Sequence, residues 1–145
     1  MRLNTANFGT LEVGEDKFII FKDGIPGFKE LKKYILIESE NGKFQYLQSV
    51  EDSNVCFTMI NPYSIKEDYA PVISESYFEK LGGGKSQEFT LYAVVCLKNP
   101  IEESTVNLAG PLLIHVDRRV GVQVITEDKH YTTRHNLLEL IRGGK

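Results

Sequence analysis

Short apolar runs separated by turn residues dominate the pattern of hydrophobic and polar positions along this chain. Runs rich in Val, Ile, Phe and Tyr, bounded by Gly, Asn, Asp and Pro, are typical of β-strands. The pattern predicts strands at KFIIF (17–21), YILIES (34–39), FQYLQS (44–49), VCFTMI (55–60), FTLYAVVCL (89–97), within 104–116, and at VGVQVI (120–125). The fold class is therefore mainly β.

The run at 89–97 is apolar on both of its faces. One face carries Phe89, Leu91, Ala93, Val95 and Leu97, and the other carries Tyr92, Val94 and Cys96 beside Thr90. A strand that is apolar on both faces is covered on both, as in a closed or strongly curled sheet. We therefore expect a small antiparallel β-barrel-like single domain over residues 1–145.

Helical periodicity is confined to two short segments, so one or two short helices are expected. The inward face of the first segment, 70–84, consists of Ile73, Tyr77, Phe78 and Leu81. Glu75 and Glu79 share its outward face, a proline marks its start and glycines mark its end. The second predicted helix begins at Thr132 or Thr133 and ends at Gly143 and Gly144.

Composition narrows the function classes. The net charge is −3, which argues against direct nucleic-acid binding, because phosphate binding needs clustered Lys and Arg. The start of the chain lacks the apolar run of a signal peptide, and no stretch reaches the ~20 apolar residues of a membrane span. We expect a cytoplasmic protein that does not bind a membrane. Cys56 and Cys96 lie in apolar runs and are expected to be reduced core thiols.

Patterns that would indicate catalysis, a cofactor or a metal are weak. GGGKS (82–86) lacks the first glycine of a phosphate-binding loop and follows a helix instead of a strand, so a helix end and a turn are predicted. His130 and His135 are five residues apart and would not share one face of a helix. We therefore predict no enzyme, no cofactor and no metal.

One alternative uses the segment VDRRVG. His115 with Arg118 or Arg119 at a barrel mouth would form a small-molecule or anion site, or part of an enzyme. The other interpretation of this segment is a charged hairpin turn between two strands.

Carboxylate pairs recur between the predicted strands. They are Glu51-Asp52, Glu67-Asp68, Glu102-Glu103 and Glu127-Asp128. Such pairs are usually solvated turn residues, but as a negative rim they would steer a basic partner.

The stretch FKDGIPGF (21–28) is predicted to be a corner. Ile25-Pro26-Gly27-Phe28 fits a type II turn, since Gly27 can adopt the positive φ of the third position. We expect Phe21 and Phe28 to anchor this corner in the core.

Five stretches in this order resemble the flagellar assembly factor FliW family along nearly the whole chain. They are FKDGIPGF (21–28), YLQSVED (46–52), the stretch from MINPY to DYAP (59–71), TVNLAGPLLIHVDRRVGVQVI (105–125) and HYTTRHNL (130–137). Each is weak alone, but five in the right order in a chain of this length are specific.

The resemblance implies a β-barrel-like, non-enzymatic protein of flagellum biogenesis, monomeric when free, with two protein partners. One is flagellin, and the other is CsrA, an RNA-binding translational repressor. Accumulated flagellin would occupy the protein and leave CsrA free to repress flagellin translation. After flagellin export, the freed protein would capture CsrA by mass action, acting away from its RNA site.

Flagellin's terminal segments are amphipathic helices, and such helices bind in apolar grooves. The basic surface of CsrA suits an acidic face. We place the partner contacts between Asn61 and Glu79, at Pro62, Tyr63, Glu67, Asp68, Tyr69, Glu75 and Glu79; the alternative is ordinary loop and helix surface. Gln48, Ser49 and Asn107 are expected to satisfy backbone groups within the barrel.

Overall fold

The structure, a computed structural model, describes residues 1–143, in which eleven strands and three short α-helices are formed. The strands are β1 (Arg2–Thr5), β2 (Gly9–Glu12), β3 (Ile19–Ile20), β4 (Lys33–Glu38), β5 (Gln45–Ser49), β6 (Cys56–Ile60), β7 (Phe89–Cys96), β8 (Thr105–Val106), β9 (Leu112–His115), β10 (Val120–Gln123) and β11 (His135–Asn136). The helices are α1 (Pro62–Ile65), α2 (Glu75–Lys80) and α3 (Leu137–Ile141). Across these 143 residues, every helix is too short to cross a bilayer.

Seven of the strands close into a barrel. They follow the order β7-β6-β5-β4-β3-β10-β9, and β9 pairs back onto β7. Neighbouring strands are antiparallel except β3 and β10, which are parallel and meet at Ile20 and Val120. The mainly β, barrel-like prediction is confirmed, with this one parallel pair as the exception. β1 and β2 form a separate hairpin, and β8 and β11 extend the sheet beside the far end of β7.

The prediction that the run 89–97 is covered on both faces is confirmed for residues 89–95, whereas Cys96 and Leu97 at its end are exposed. Tyr92 and Val94 pack against the barrel core, whose buried members are Ile19, Phe21, Ile25, Tyr34, Leu47, Met59, Leu112 and Ile114. Leu91, Ala93 and Val95 pack in two further clusters with side chains from the helices and connecting segments. We call this second layer the outer cover.

The corner at 21–28 contains the predicted turn. The Phe28 N–H donates to the Ile25 carbonyl at 2.7 Å, and Gly27 has φ of +88°. Phe21 is fully buried and lies so close to Gly121 that a Cβ there would be 2.6 Å from its ring. Phe28 is 40% exposed, so its prediction as a core anchor is wrong. Its ring meets Phe57 edge-on at the surface, with centroids 5.4 Å apart.

Element bounds differ from the sequence predictions where tertiary hydrogen bonds compete with helix formation. α2 begins only at Glu75, because the Val72 carbonyl accepts bonds from the Thr126 hydroxyl and the Glu127 N–H. α3 begins at Leu137 instead of Thr132 or Thr133, since His135 and Asn136 pair with β8. Gly144, one predicted end of α3, lies outside the described residues.

Other elements were not predicted from the sequence, or were predicted only in part. The β1–β2 hairpin and α1 had no prediction, and the run within 104–116 contains the two strands β8 and β9. The glycines after α2 form the predicted helix end, where the Gly83 N–H donates to the Phe78 carbonyl at 2.8 Å.

The prediction that both cysteines are core thiols is wrong for Cys96. Cys56 is half-buried, and Cys96 is exposed. The β6–β7 ladder ends at the pair Thr58–Val95, so Cys96 lies beyond the closed part of the barrel.

Candidate functional site

The segment that follows β6 turns sharply away from the barrel at Asn61. The Asn61 side chain accepts the N–H of Tyr63 at 3.0 Å, and Pro62 occupies the first turn of α1, where its missing N–H costs nothing. Pro62 is buried, whereas Tyr63 is 43% exposed. α1 therefore displays one large aromatic side chain on the outer cover.

A cluster of three tyrosines, Tyr63, Tyr69 and Tyr131, attaches this segment to the sheet. Tyr69 is 3% exposed, and its hydroxyl donates to the Leu108 carbonyl at 2.6 Å. Its ring centroid lies 5.7 Å from that of Tyr63 and 4.8 Å from that of Tyr131. Burial raises the pKa of Tyr69, so the hydroxyl remains a neutral donor.

His135 lies at the end of this tyrosine cluster. Its Nε2 accepts the Thr132 N–H at 2.9 Å, which requires that nitrogen to be unprotonated. Burial, followed by the positive charge of Lys66, lowers the pKa of His135. The neutral imidazole is therefore the form that fits this site.

Two of the predicted carboxylates, Glu67 and Asp68, line a cleft beside α3. Its volume is about 550 Å³, and Ile65, Leu140 and Ile141 form its apolar part. Asp68 pairs with Lys66 at 3.1 Å, and Glu67 is exposed. Lys66 therefore partly compensates the negative charge of this cleft.

A second concavity, which we call the α1–α2 groove, opens over the middle of the outer face of β7. Its volume is about 280 Å³. Its apolar lining consists of Tyr63, Ile73, Phe78, Phe89, Leu91 and Leu113, and its polar lining of Asn61, Ser86 and Thr90. The rings of Phe78 and Phe89 meet edge-on with centroids 5.0 Å apart, which fixes α2 against β7.

The predicted partner-contact residues are divided among these features. Tyr63 reaches the α1–α2 groove, and Glu75 and Glu79 are exposed on α2. Glu67 and Asp68 belong to the cleft beside α3, while Pro62 and Tyr69 are buried beneath the surface. The groove residues Phe89, Leu91 and Leu113 had no functional prediction, since their sequence signal was only that of apolar strands.

His115 and Arg118, the residues of the alternative anion site, are used within the fold. His115 is buried; its Nε2 meets Glu88 at 3.0 Å, and its Nδ1 accepts the Arg118 N–H at 3.0 Å. The Arg118 guanidinium donates to the carbonyls of Leu81 and Gly83 at 2.9 and 2.6 Å. The pair fastens the end of α2 to the β9–β10 turn, so these groups do not converge on an open anion site.

Arg119, the third residue of that alternative, lies in the same turn with φ of +56°. Its side chain donates to the Lys17 carbonyl at 3.4 Å, and no bond joins its guanidinium to His115 among the described residues 1–143. The charged hairpin turn is therefore the correct interpretation of VDRRVG.

The polar residues predicted to satisfy backbone groups do so. Gln48 donates to three carbonyls in the β5–β6 connection, and Ser49 accepts the N–H groups of Glu51 and Asp52. Asn107 accepts the N–H groups of Ala109 and Gly110 at 3.0 and 2.8 Å.

The carboxylate of Glu51 has a similar role. It accepts the N–H groups of Lys33 and Lys32, and these bonds hold its pKa below the usual range. This member of the acidic pairs therefore supports β4. Within residues 1–143, no group of three or more His, Cys, Asp or Glu side chains is placed to hold a metal ion.

Comparison with known proteins places the chain in a family. A family model described as FliW protein matches residues 2–137. A protein named flagellar assembly factor FliW from Caldicellulosiruptor bescii is 36% identical over 138 residues, covering 95% of this chain and 91% of that protein. Another of the same name from Natranaerobius thermophilus is 39% identical over 139 residues, covering 94% of this chain and 92% of its own length.

A solved structure gives the same result at the level of the fold. The crystal structure of the flagellar assembly factor FliW superposes with a TM-score of 0.88 at 32% sequence identity. The match covers 94% of this chain and 96% of that one. This chain therefore belongs to the FliW family of flagellar assembly factors.

Proposed function

We propose that this protein is a non-enzymatic cytoplasmic regulator that binds flagellin and the translational repressor CsrA. The observation that carries the proposal is the family match over residues 2–137, together with relatives named flagellar assembly factors. The polar clusters described above support it as well, because the side chains of Gln48, His115 and Arg118 are hydrogen-bonded to backbone groups of the fold itself.

In this proposal, flagellin and CsrA draw on one limited pool of the protein. Flagellin that accumulates in the cell occupies the pool, so CsrA remains free to repress flagellin translation. Export of flagellin releases the protein, which then captures CsrA. The response follows from mass action, because the fraction of CsrA bound depends on how much protein flagellin leaves free.

The outer cover is the surface that suits such partners. Tyr63 provides exposed aromatic area, and the exposed Glu67, Glu75 and Glu79 of the same segment, 61–79, provide negative charge. Asp68 contributes together with Lys66, and the buried Pro62 and Tyr69 hold the segment in place. Aromatic anchors surrounded by charged residues are typical of protein interfaces.

Gel filtration of the purified protein with purified flagellin, and separately with purified CsrA, tests the proposal. We expect the protein alone to elute as a monomer and each mixture to yield a complex at micromolar concentrations. Failure of both mixtures to form a complex would contradict the proposal.

Competition is tested in the same format. Flagellin added to the preformed complex with CsrA is expected to release CsrA in proportion to the flagellin added. A ternary complex in which CsrA stays fully bound would contradict the shared pool.

A further inference from the structure

A covalently reactive pair of residues, Asn41 and Gly42, lies in the connection between β4 and β5. The other asparagines of the sequence all precede a proline or a residue larger than glycine. Deamidation begins when the backbone nitrogen of the following residue attacks the asparagine amide, and a side chain on that residue obstructs the approach. Gly42 is exposed, and among the described residues no atom beyond its chain neighbours lies within 4 Å of where a Cβ would be. The pair is therefore sterically open to this reaction.

The turn holds the Asn41 side chain over the Gly42 peptide. The Asn41 Oδ1 accepts the Lys43 N–H, two residues along the chain, at 3.0 Å. An asparagine bonded in this way is folded back over the peptide between the two residues, so its Cγ lies on the side of the Gly42 nitrogen. Reacting groups that are already held together need less entropy to join. The fold therefore favours closure of the ring between Cγ and this nitrogen.

Two donors converge on the oxygen of the Asn41 amide. In addition to the Lys43 N–H, the Ser39 hydroxyl donates to Oδ1 at 2.8 Å. The same hydroxyl accepts the Phe44 N–H at 3.2 Å, and bonds in such a chain polarise one another. Attack on Cγ places negative charge on Oδ1, and donors aimed at a developing charge lower the barrier to its formation. The turn therefore stabilises the intermediate of deamidation.

One hydrogen bond opposes the reaction. The Gly42 N–H donates to the Ser39 carbonyl at 3.0 Å, and this proton must leave before the nitrogen can attack. The bond lies in an exposed turn, where local opening costs little free energy. The opposing bond uses the backbone of Ser39, and the assisting bond uses its side chain. The two effects can therefore be separated by substitution.

A second pair of similar sequence, Asp23–Gly24, is closed to the corresponding reaction. Gly24 is buried, its N–H donates to the Phe21 carbonyl at 2.9 Å, and a Cβ there would lie 2.5 Å from the Lys29 Cα. Asp23 pairs with Lys80 at 3.5 Å, which favours the carboxylate over the neutral carboxyl group that cyclises. This pair is the internal comparison for Asn41–Gly42.

We propose that Asn41 is a site of spontaneous deamidation in the folded protein, assisted by the Ser39 hydroxyl and the Lys43 N–H. The Gly42 nitrogen loses its proton to hydroxide and attacks the Asn41 Cγ, which forms a new C–N bond. The Cγ–Nδ2 bond then breaks, and the leaving nitrogen takes a proton from water and departs as ammonia. Water opens the resulting succinimide at either carbonyl, giving aspartate or isoaspartate. The net reaction consumes one water and releases one ammonia, without oxidation or reduction.

The two products differ in their effect on the turn. Aspartate leaves the main chain unchanged, and its carboxylate can accept the same two donors. Isoaspartate carries the main chain through Cβ, which adds one carbon before Gly42 and displaces its N–H from the Ser39 carbonyl. We therefore expect isoaspartate to loosen the β4–β5 connection and aspartate to preserve it. The reaction needs no partner protein and is independent of the proposed function.

Peptide mapping by mass spectrometry of the folded protein, incubated at mildly alkaline pH, tests the site. We expect deamidation first at Asn41, with aspartate and isoaspartate both formed because the succinimide opens at either carbonyl. Asn41→Asp supplies the standard for the aspartate product. No isoaspartate is expected at position 23 over the same period. The site is wrong if Asn41 stays intact in the folded protein while the urea-unfolded protein deamidates there, or if aspartate is the sole product.

Substitution of Ser39 tests the assistance. Ser39→Ala removes the hydroxyl but keeps the carbonyl that accepts the Gly42 N–H, so folded Ser39→Ala is expected to deamidate about threefold more slowly than the wild type. Ser39→Thr retains a hydroxyl and should keep the wild-type rate. In urea, where the turn is absent, all three proteins should deamidate at one rate. Equal or faster deamidation of folded Ser39→Ala would overturn the assistance by the hydroxyl.

Discussion

The interior of the barrel and the outer cover use similar apolar residues in different ways. In the interior, Phe21, Tyr34, Leu47 and Met59 are all 0% exposed. In the outer cover, Tyr63 is 43% exposed, and the other connecting segments display Val72 at 52% and Ile125 at 59%. The barrel closes on itself, whereas the cover consists of short helices that cannot shield every apolar atom beneath them.

From this difference we expect the interior to determine stability and the outer cover to determine the proposed partner binding. The free energy of burial scales with the apolar area that is removed from water, so the interior contributes most of it. Half-exposed apolar residues still have area to bury, which a partner can remove from water. Substitutions in the interior should therefore change the free energy of unfolding, and substitutions on the surface of the cover should change binding.

The largest expected effect comes from truncating the barrel core. Leu47→Ala leaves a cavity at a fully buried position and is expected to lower the free energy of unfolding by about 2–5 kcal/mol. Urea unfolding followed by circular dichroism measures this change. Leu97→Ala, at a position 50% exposed, is the control and should cost less than about 0.5 kcal/mol. Similar losses for the two variants would remove the distinction between interior and surface.

A smaller effect comes from two buried tyrosine hydroxyls. Tyr69→Phe removes the donor to the Leu108 carbonyl and is expected to cost about 1–3 kcal/mol, since a buried acceptor loses its partner. The Tyr34 hydroxyl is buried and has no hydrogen-bond partner within residues 1–143. Burial, and to a smaller extent the negative charge of Glu51, raises the pKa of Tyr34 to about 12.

Tyr34→Phe is therefore the matched control for Tyr69→Phe. It should cost clearly less, because no partner atom among the described residues loses a bond. Urea unfolding of both variants decides the point. A larger loss for Tyr34→Phe would mean that the two hydroxyls have been assigned the wrong energetic roles.

A still smaller effect is expected from pH. The pKa of His135 is lowered in the folded protein, so the unfolded chain binds its proton more tightly. The contribution of His135 is present in full above the unfolded pKa of about 6.5 and is lost as the pH falls from there towards the folded pKa. We expect the wild-type protein to lose more stability than His135→Gln between about pH 7.5 and pH 5.5. Equal losses of stability in the two proteins over this pH range would contradict the lowered pKa of His135.

The smallest expected effect is chemical and leaves the fold intact. Cys96 is exposed, whereas Cys56 is half-buried and burial raises the pKa of its thiol. A thiol reagent should therefore modify Cys96 first, with Cys56 following more slowly. Mass spectrometry of the partly modified protein identifies the site. Preferential modification of Cys56 would contradict the exposed position of Cys96 at the end of β7.

The barrel strands were the part of the fold most readily predicted from the sequence. Runs such as YILIES and FQYLQS have strong β-propensity and clear turn residues on both sides, and β4 and β5 lie there. The two apolar faces of β7 also indicated that the sheet closes into a barrel. The parallel contact between β3 and β10 involves one residue pair, Ile20 and Val120, which leaves no periodic signal in the sequence.

The outer cover was predicted less well because long-range contacts determine it. Tyr69 occurs in the polar stretch KEDYA and was expected on the surface, but its hydroxyl bonds to Leu108, 39 residues away. The groove combines Tyr63 from α1, Phe78 from α2 and Leu91 from β7, so it exists only in the folded chain. The helix pattern did give the inward face of α2 correctly, because that face depends on local spacing.

Hydrogen exchange of the protein with and without flagellin, and with and without CsrA, most directly tests whether the outer cover is the surface of recognition. We expect slower amide exchange in α1, in α2 and at 89–92 on binding, with the interior strands β4 and β5 unchanged. Slower exchange confined to β4, β5 or the β1–β2 hairpin would place the partner on another surface and contradict the division between interior and cover.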